Sequence, residues 1–295
     1  MLSQLSIIQC LDELSTLSKI SLGFLSVVLI ANRKALFFGW HYRAFHTLFK
    51  HLIWRKNIHV EISRTGADSL FQPVIISTYN PLFECDFMMH KSNSTFYSDL
   101  DISRMHLLAS LFKEVILPSG KPKHGLGKLN VVLGGVSCTF RREIKPFQKY
   151  EVWSRILAWD DKWIYIVSHF VKKGAVKPRR TGRSGQTEQE EVETMFSISE
   201  EQMQKVVLTS AISKYVFKRG RQTVSPAEVL KGLELVPAEE NGRVKKTEAE
   251  GGSNWSWTEV QEERKRGLAL AQHFAALDRL HCSLSGSSAP ALGLF

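Results

Sequence analysis

Alternation of apolar and polar residues marks the middle of this chain as sheet. Tyr150 to Trp159 and Trp163 to Lys172 flank Asp160-Asp161-Lys162, a polar triplet suited to a tight turn, and together they predict a hairpin. Lys128 to Ile144 predicts a long strand, and its Gly134-Gly135 pair marks a bulge or a close backbone approach. Val206 to Phe217 has the same strand character. Pro73 to Ser77 is a shorter apolar strand, and Asn57 to Ser63 alternates ahead of it. From about Ser94 the spacing turns helical, with Phe96, Tyr97, Leu100, Met105, Leu107, Leu108, Leu111 and Phe112 available for an apolar face. Asn93 and Ser94 are cap residues there, and Asp99 and Asp101 suit the positive end of the helix dipole. Ser225-Pro226-Ala227-Glu228 predicts a capped start to a short helix ending at Leu235. Thr258 to Gln261 reads as a second capping box. Its helix runs to about His281, with Val260, Leu268, Ala271, Phe274 and Leu277 on or near one face. A strand, a long helix and then antiparallel strands make an α+β fold: one helix packed on an antiparallel sheet, with helices added at the ends.

The first part of the chain differs in character. Ile20 to Asn32 is uncharged and bracketed by Lys19 and Arg33-Lys34. As a helix it rises only about 20 Å, short of the roughly 30 Å hydrocarbon core of a bilayer. A second apolar run, Ala35 to Trp40, follows, and Trp40, His41, Tyr42 and Trp54 suit the headgroup zone. Residues 1–57 are therefore expected to form a hydrophobic, membrane-associating helical region, interfacial or tilted. Two alternatives stay open: a pair of helices packed on the domain, and a single spanning helix with Lys19 and Arg33 snorkelling. Asp12 and Glu13 precede the apolar run and no small-residue cleavage site follows, which argues against a secretory signal. The expected location is an intracellular membrane, such as the cytosolic face of the endoplasmic reticulum. Residues 58–236 form the main domain, with a charged, apolar-poor stretch at 173–204 as a flexible insertion. Residues 237–257 read as a linker and 258–295 as a C-terminal helix and tail.

Composition narrows the partners. The chain has 295 residues, 43% of them hydrophobic, and a net charge of +10. Such a charge suits an anionic membrane surface or acidic ligands such as CoA phosphates. No zinc finger, RNA-recognition aromatic motif or continuous basic helix is present in the sequence, so nucleic acid is not expected. Cys10, Cys85, Cys138 and Cys282 are scattered without a CxxC, so neither a metal site nor a disulfide framework is expected, and a reducing compartment fits. No GxGxxG follows a strand, and the run Gly134-Gly135-Val136-Ser137-Cys138 lacks the closing Gly of a nucleophile elbow. No cofactor is implied.

Candidate chemistry gathers between Leu82 and Phe112. A polar turn holding Glu84, Cys85, Asp86, His90, Ser92 and Asn93 separates the apolar strand from the helix. Asp86 is thereby delivered close to a helix N-terminus, whose free amides can bind an anion or polarise a carbonyl. A carboxylate beside such amides can attack an acyl group or activate water against it. The plainer alternative is that Asp86 caps a turn. Glu84 lies one alternation step away and could face the same side, with Cys85 opposite.

Asp86, His90, Asn93, Ser94, Thr95, Phe96 and Tyr97 form a D-x-x-x-H-x-x-N-S-T-[FY]-[FY] loop, placed between a strand and a helix that antiparallel strands follow. This arrangement resembles the hotdog-fold acyl thioesterases of the 4-hydroxybenzoyl-CoA type, in which a sheet wraps a long central helix. The phrases ECDFMMHKSNSTFYSDLDISR, TFRREIKPFQKYEVWSRILAWDDKWIYIVSHFV and AISKYVFKRGR look like the eukaryotic thioesterase-superfamily-member-6-like proteins. They are also similar to fungal thioesterases encoded in natural-product gene clusters, including the leucinostatin-cluster type. The resemblance covers roughly Phe71 to Lys231 and the terminal helix. It implies hydrolysis of an acyl-CoA or of a carrier-protein-bound acyl or polyketide thioester, in the setting of fungal secondary metabolism. Asp86 would act as nucleophile or general base, and His90 would orient the thioester or hydrogen-bond Asp86. The amides of Asn93 to Thr95 would polarise the carbonyl. A homodimer would bring one subunit's loop to the other's helix. Met88 and Met89 stand where bacterial members often have Gly, and they could begin an apolar acyl pocket. Asp99 is a reserve candidate, because some hotdog branches use a helix acid. Hydratases of the same fold usually separate Asp and His by four residues rather than the three found here. The other reading is a non-catalytic, membrane-associated acyl-binding or scaffold protein of the same fold.

Overall fold

The computed structural model describes residues 2–54, 67–118, 125–176, 205–237 and 255–283. The strand expected at 57–63, most of the 173–204 insertion, the greater part of the linker and the end of the tail lie outside the described residues. Five strands form one antiparallel sheet in the order β1-β3-β4-β5-β2. They are β1 (Val74–Tyr79), β2 (Asn130–Phe140), β3 (Lys149–Trp159), β4 (Ile164–Lys172) and β5 (Val207–Arg219). A short β6 (Gln222–Val224) turns back onto β5 around Gly220, whose φ of 59° favours glycine.

Period-two burial along β3 sends Tyr150, Val152, Ser154 and Ile156 inward. The register slips between Ile156 and Ala158, between Phe170 and Val171, and between Leu133 and Gly135. Each slip inserts a residue and adds local twist, which curls the sheet. At Gly134 both halves of the expectation hold, since a Cβ there would lie 2.2 Å from the Trp163 ring. The curled sheet wraps the central helix, Asn93–Leu111. Phe96 and Leu100 pack with Val152, Phe170 and Leu208, while Leu107, Leu108 and Leu111 pack with Ile156, Ile164 and Ile166. The architecture is the expected α+β hotdog arrangement. Of the apolar face read from the sequence, Tyr97 is instead at the surface, 36% exposed.

The C-terminal helix, Trp257–Ala275, covers the outer face of the sheet over Leu157, Ala158 and Tyr165. Its capping box is Ser256–Glu259, not Thr258–Gln261: Ser256 Oγ accepts from the Glu259 amide, and Glu259 Oε2 accepts from the Ser256 amide. Leu277, expected on the apolar face, is exposed, because a 3₁₀ segment starting at Ala276 changes the helical phase. The short helix after Ser225 spans Pro226–Gly232, and Ser225 makes no side-chain cap bond.

The N-terminal expectation splits in two. The first helix, Leu2–Ala31, exposes Ile20, Leu22, Phe24, Leu25, Val27 and Ile30, with Phe24 71% exposed. Among the described residues no helix is long and apolar enough to cross a membrane. The second helix, Gly39–Leu48, and the π-helical run Phe49–Trp54 instead pack on the central helix. Asn32, Lys34, Ala44, Thr47 and His51 are buried there, so a domain boundary at residue 57 does not follow the packing.

A chain of imidazoles and hydroxyls fastens this second part. His51 Nε2 lies 2.7 Å from His106 Nδ1, Thr47 Oγ1 lies 3.1 Å from His106 Nε2, and Ser110 Oγ lies 3.2 Å from His51 Nδ1. Burial pushes the His106 pKa down to about 4, helped by His51, Lys50, His46 and Arg43. The folded-state value lies below the ordinary 6.5, so the unfolded chain binds more protons between the two. His106 thus contributes stability that is present above about pH 6.5 and is lost as pH falls toward about pH 4. The thermal midpoint should fall across that window, and His106→Gln should flatten the fall. An equally steep fall in the variant would place the acid lability elsewhere.

Candidate active site

The loop between β1 and the central helix closes on itself. A 3₁₀ turn at Leu82–Glu84 leads into an isolated antiparallel bridge between Cys85 and Lys91. The Asp86 amide donates to the His90 carbonyl at 2.9 Å, Met89 N–H to the Asp86 carbonyl at 3.0 Å, and Ser92 N–H to the Glu84 carbonyl at 2.8 Å. Met89 takes φ 59°, the left-handed conformation that glycine adopts without strain. The surrounding hydrogen bonds hold Met89 in that conformation.

Asp86 does two things at once. Oδ1 accepts the Met88 amide at 2.9 Å, which is the turn cap of the plainer reading. Oδ2 faces His90 Nδ1 at 3.4 Å, and both side chains stay about a quarter to a third exposed, at 26% and 30%. The tip beside them is apolar and open: Phe87 is 93% exposed, and Met88 and Met89 are exposed as well.

The helix starts one residue earlier than its caps predict. Ser92 occupies the cap position, in extended backbone and without a side-chain cap bond, and Asn93 is the first helical residue. Thr95 is already engaged. Its amide donates to the Ser92 carbonyl at 3.0 Å and its hydroxyl to the same carbonyl at 2.8 Å. The amides left for a ligand by the geometry of a helix start are those of Asn93 and Ser94.

Three expectations about acids are corrected. Glu84 does not share a face with Asp86, because the 3₁₀ turn breaks the strand alternation and buries Glu84 beneath the loop. Asp99 is not a surface partner of the helix dipole. It is fully buried and ringed by cations: Lys34 at 2.8 Å, Arg43 at 2.8 Å and Lys91 at 3.1 Å. Tyr150 donates its hydroxyl proton to Asp99 Oδ2. Asp101 pairs with Arg104. Cys85 is partly buried and accepts from Asn80 Nδ2 at 3.2 Å.

Sequence reasoning missed the cluster beneath the loop. Lys34 Nζ also donates to Glu84 Oε2 at 2.9 Å, and Lys91 Nζ reaches the same oxygen at 2.5 Å. Burial opposes both signs of charge, and the outcome depends on the neighbours. Against its burial, Asp99 is held well below the usual carboxylate range by Lys34, Lys91 and Arg43. Burial lowers the pKa of Lys34 from its ordinary value, with Asp99 opposing that and Lys91 adding to it. The Tyr150 phenol is pushed well up by burial and by Asp99. So enclosed, Asp99 is no nucleophile, and its reserve role is withdrawn. Among the described residues no group of His, Cys, Asp and Glu could hold a metal ion.

Residues 81–198 match the thioesterase-like superfamily. The chain is 43% identical over 281 residues to the thioesterase poxG of Penicillium oxalicum, a match spanning 91% of this chain and 88% of that protein. It is 38% identical over 290 residues to the probable thioesterase atnL of Emericella nidulans, spanning 93% and 92%. Among solved structures it is similar to the YbaW probable thioesterase from Escherichia coli, with 10% identity and a TM-score of 0.36 over 55% of this chain and 96% of that one.

Proposed function

The chain belongs to the thioesterase-like superfamily and is a thioester hydrolase, and within that family we propose that Asp86 is its acting carboxylate on an acyl thioester. One observation carries this: the closed loop that leads into the central helix presents Asp86 Oδ2 about a quarter exposed and facing His90. Acting as base, Oδ2 takes a proton from water while the water oxygen bonds to the thioester carbon. Acting as nucleophile, Oδ2 forms that bond itself, and water later hydrolyses the anhydride. In both cases the carbonyl oxygen gains negative charge beside the Asn93 and Ser94 amides, the C–S bond breaks, and the sulfur leaves as thiolate to be protonated. His90, 3.4 Å from Oδ2, holds the carboxylate's orientation.

Phe87, Met88 and Met89 supply an apolar surface for the acyl chain. The thioester is carried by CoA or a carrier protein. A homodimer suits the exposed loop tip. It also suits the edge of β2, which is unpaired among the described residues and where Val132, Leu133 and Phe140 are exposed. The first helix lies along an anionic membrane surface. Its apolar residues from Ile20 to Ile30 are open, and exposed Lys19 and Arg33 bracket them.

Asp86→Asn should lower kcat for thiol release across an acyl-CoA length series by about 100-fold or more while the circular dichroism spectrum is unchanged. Undiminished hydrolysis would remove Asp86 from the reaction. Separately, the full chain should co-sediment with phosphatidylserine-containing vesicles and less so at high salt, and a chain starting at Ala31 should not. Equal sedimentation of the two would refute the membrane role of the first helix.

A further inference from the structure

The cluster beneath the loop draws two residues from outside the hotdog core, Arg43, which reaches Asp99, and Lys34, which reaches Glu84 as well, and the reaction described above makes no use of either. Lys34 follows the exposed first helix by three residues and enters the protein at 7% exposure. We propose that Lys34 is a positioning residue for thioester hydrolysis: through Glu84 it sets the geometry of the Asp86–His90 loop. The proposal rests on the assignment of Asp86 as the acting carboxylate.

Lys34 Nζ has four acceptors within 3.1 Å: the Tyr79 carbonyl, Glu84 Oε2, Asp99 Oδ2 and the Tyr150 hydroxyl. An ammonium has three protons, so its donor capacity is saturated. These acceptors come from the end of β1, the loop, the central helix and β3. Glu84 lies two residues before Asp86, and Lys91 directly follows His90. Glu84 Oε2 takes both Lys34 and Lys91, so one buried oxygen joins the two legs of the loop to the N-terminal segment. A second tie lies alongside. Asn32 Oδ1 accepts the Phe83 amide at 2.9 Å, and the Tyr79 hydroxyl donates to the Ala31 carbonyl at 3.0 Å.

The partners would respond unequally to loss of Lys34. Asp99 keeps Arg43, Lys91 and Tyr150. Among the described residues Glu84 keeps Lys91 alone as an ion-pair partner. The relaxation therefore falls on Glu84 and on the loop it begins. That loop holds Met89 in a left-handed conformation, which persists only where the surroundings over-determine it. Small displacements matter for reacting groups, since a misplacement of about 1 Å can cost on the order of 100-fold in rate.

The test measures hydrolysis of decanoyl-CoA by the full chain carrying Lys34→Met, Asn32→Ala or Asp86→Asn, each well below its own melting midpoint. Lys34→Met should lower kcat by about tenfold or more with KM changed by less than about twofold. Asn32→Ala, which removes one acceptor without disturbing the buried charges, should lower kcat by about threefold. A purely structural role would lower the melting midpoint and leave kcat per folded molecule intact, and that result overturns the proposal. If Lys34→Met does not fold, Asn32→Ala decides: unchanged kcat there overturns it too. Asp86→Asn separates the two claims. Full activity in that variant defeats the assignment of Asp86 whatever Lys34 does, whereas lost activity there beside wild-type kcat in the other two defeats positioning alone.

Discussion

A carboxylate with no access to water has to be compensated by the protein around it, and Asp99 imposes that demand here. It is fully buried on the central helix, and three cations and a phenol converge on it from the N-terminal segment, the second helix, the loop and β3. The effective penalty for burying an unpaired ion is several kcal/mol, so none of these elements can leave without the others being affected. A buried ion network adds little net stability over apolar packing, but it is strict about geometry. That strictness falls where the protein needs it, directly beneath the Asp86 loop.

The rest of the fold brings those elements within reach. Bulges curl the sheet so that β1 and β3 both touch the central helix, which places Tyr150 beside Asp99 and ends β1 at the start of the loop. Outside the sheet, the C-terminal helix approaches so closely at Gly267 that a Cβ there would lie 2.2 Å from the Leu157 carbonyl oxygen. The inner face therefore handles chemistry and charge, while the outer face is sealed by apolar packing over Leu157, Ala158 and Tyr165.

What the sequence made legible was local. The Asp160–Lys162 hairpin, the Gly134-Gly135 bulge and the approach of Asp86 to His90 all follow from spacings of a few residues. Caps slipped by one or two positions, because Ser92 and Ser256 compete with Asn93 and Thr258 as equally good candidates. Asp99 was misread for a deeper reason. With Ser103, His106 and Ser110 it forms a polar stripe at spacings of four, three and four, a pattern that ordinarily marks a solvated helix face. Here the second helix and the π-helical run after it cover that stripe, supplying Arg43, Thr47 and His51 from more than fifty positions away. No local pattern announces such partners. In the N-terminal region likewise the apolar residues are legible, but the inward aim of Lys34 from within a basic pair is not.

Asp86 shows why a cap and a reactive group need not be rival readings. Its Oδ1 accepts the Met88 amide, which restrains the rotation of the carboxylate and leaves Oδ2 facing His90. An unrestrained aspartate on a surface loop would sample many rotamers, and most would not face His90. The capping bond gives up one acceptor to orient the other. It depends on a turn that a methionine adopts only under constraint, and that constraint is supplied by the bridge between Cys85 and Lys91 and by the charges beneath it. The reactivity assigned to a partly exposed loop residue therefore depends on buried groups beneath it.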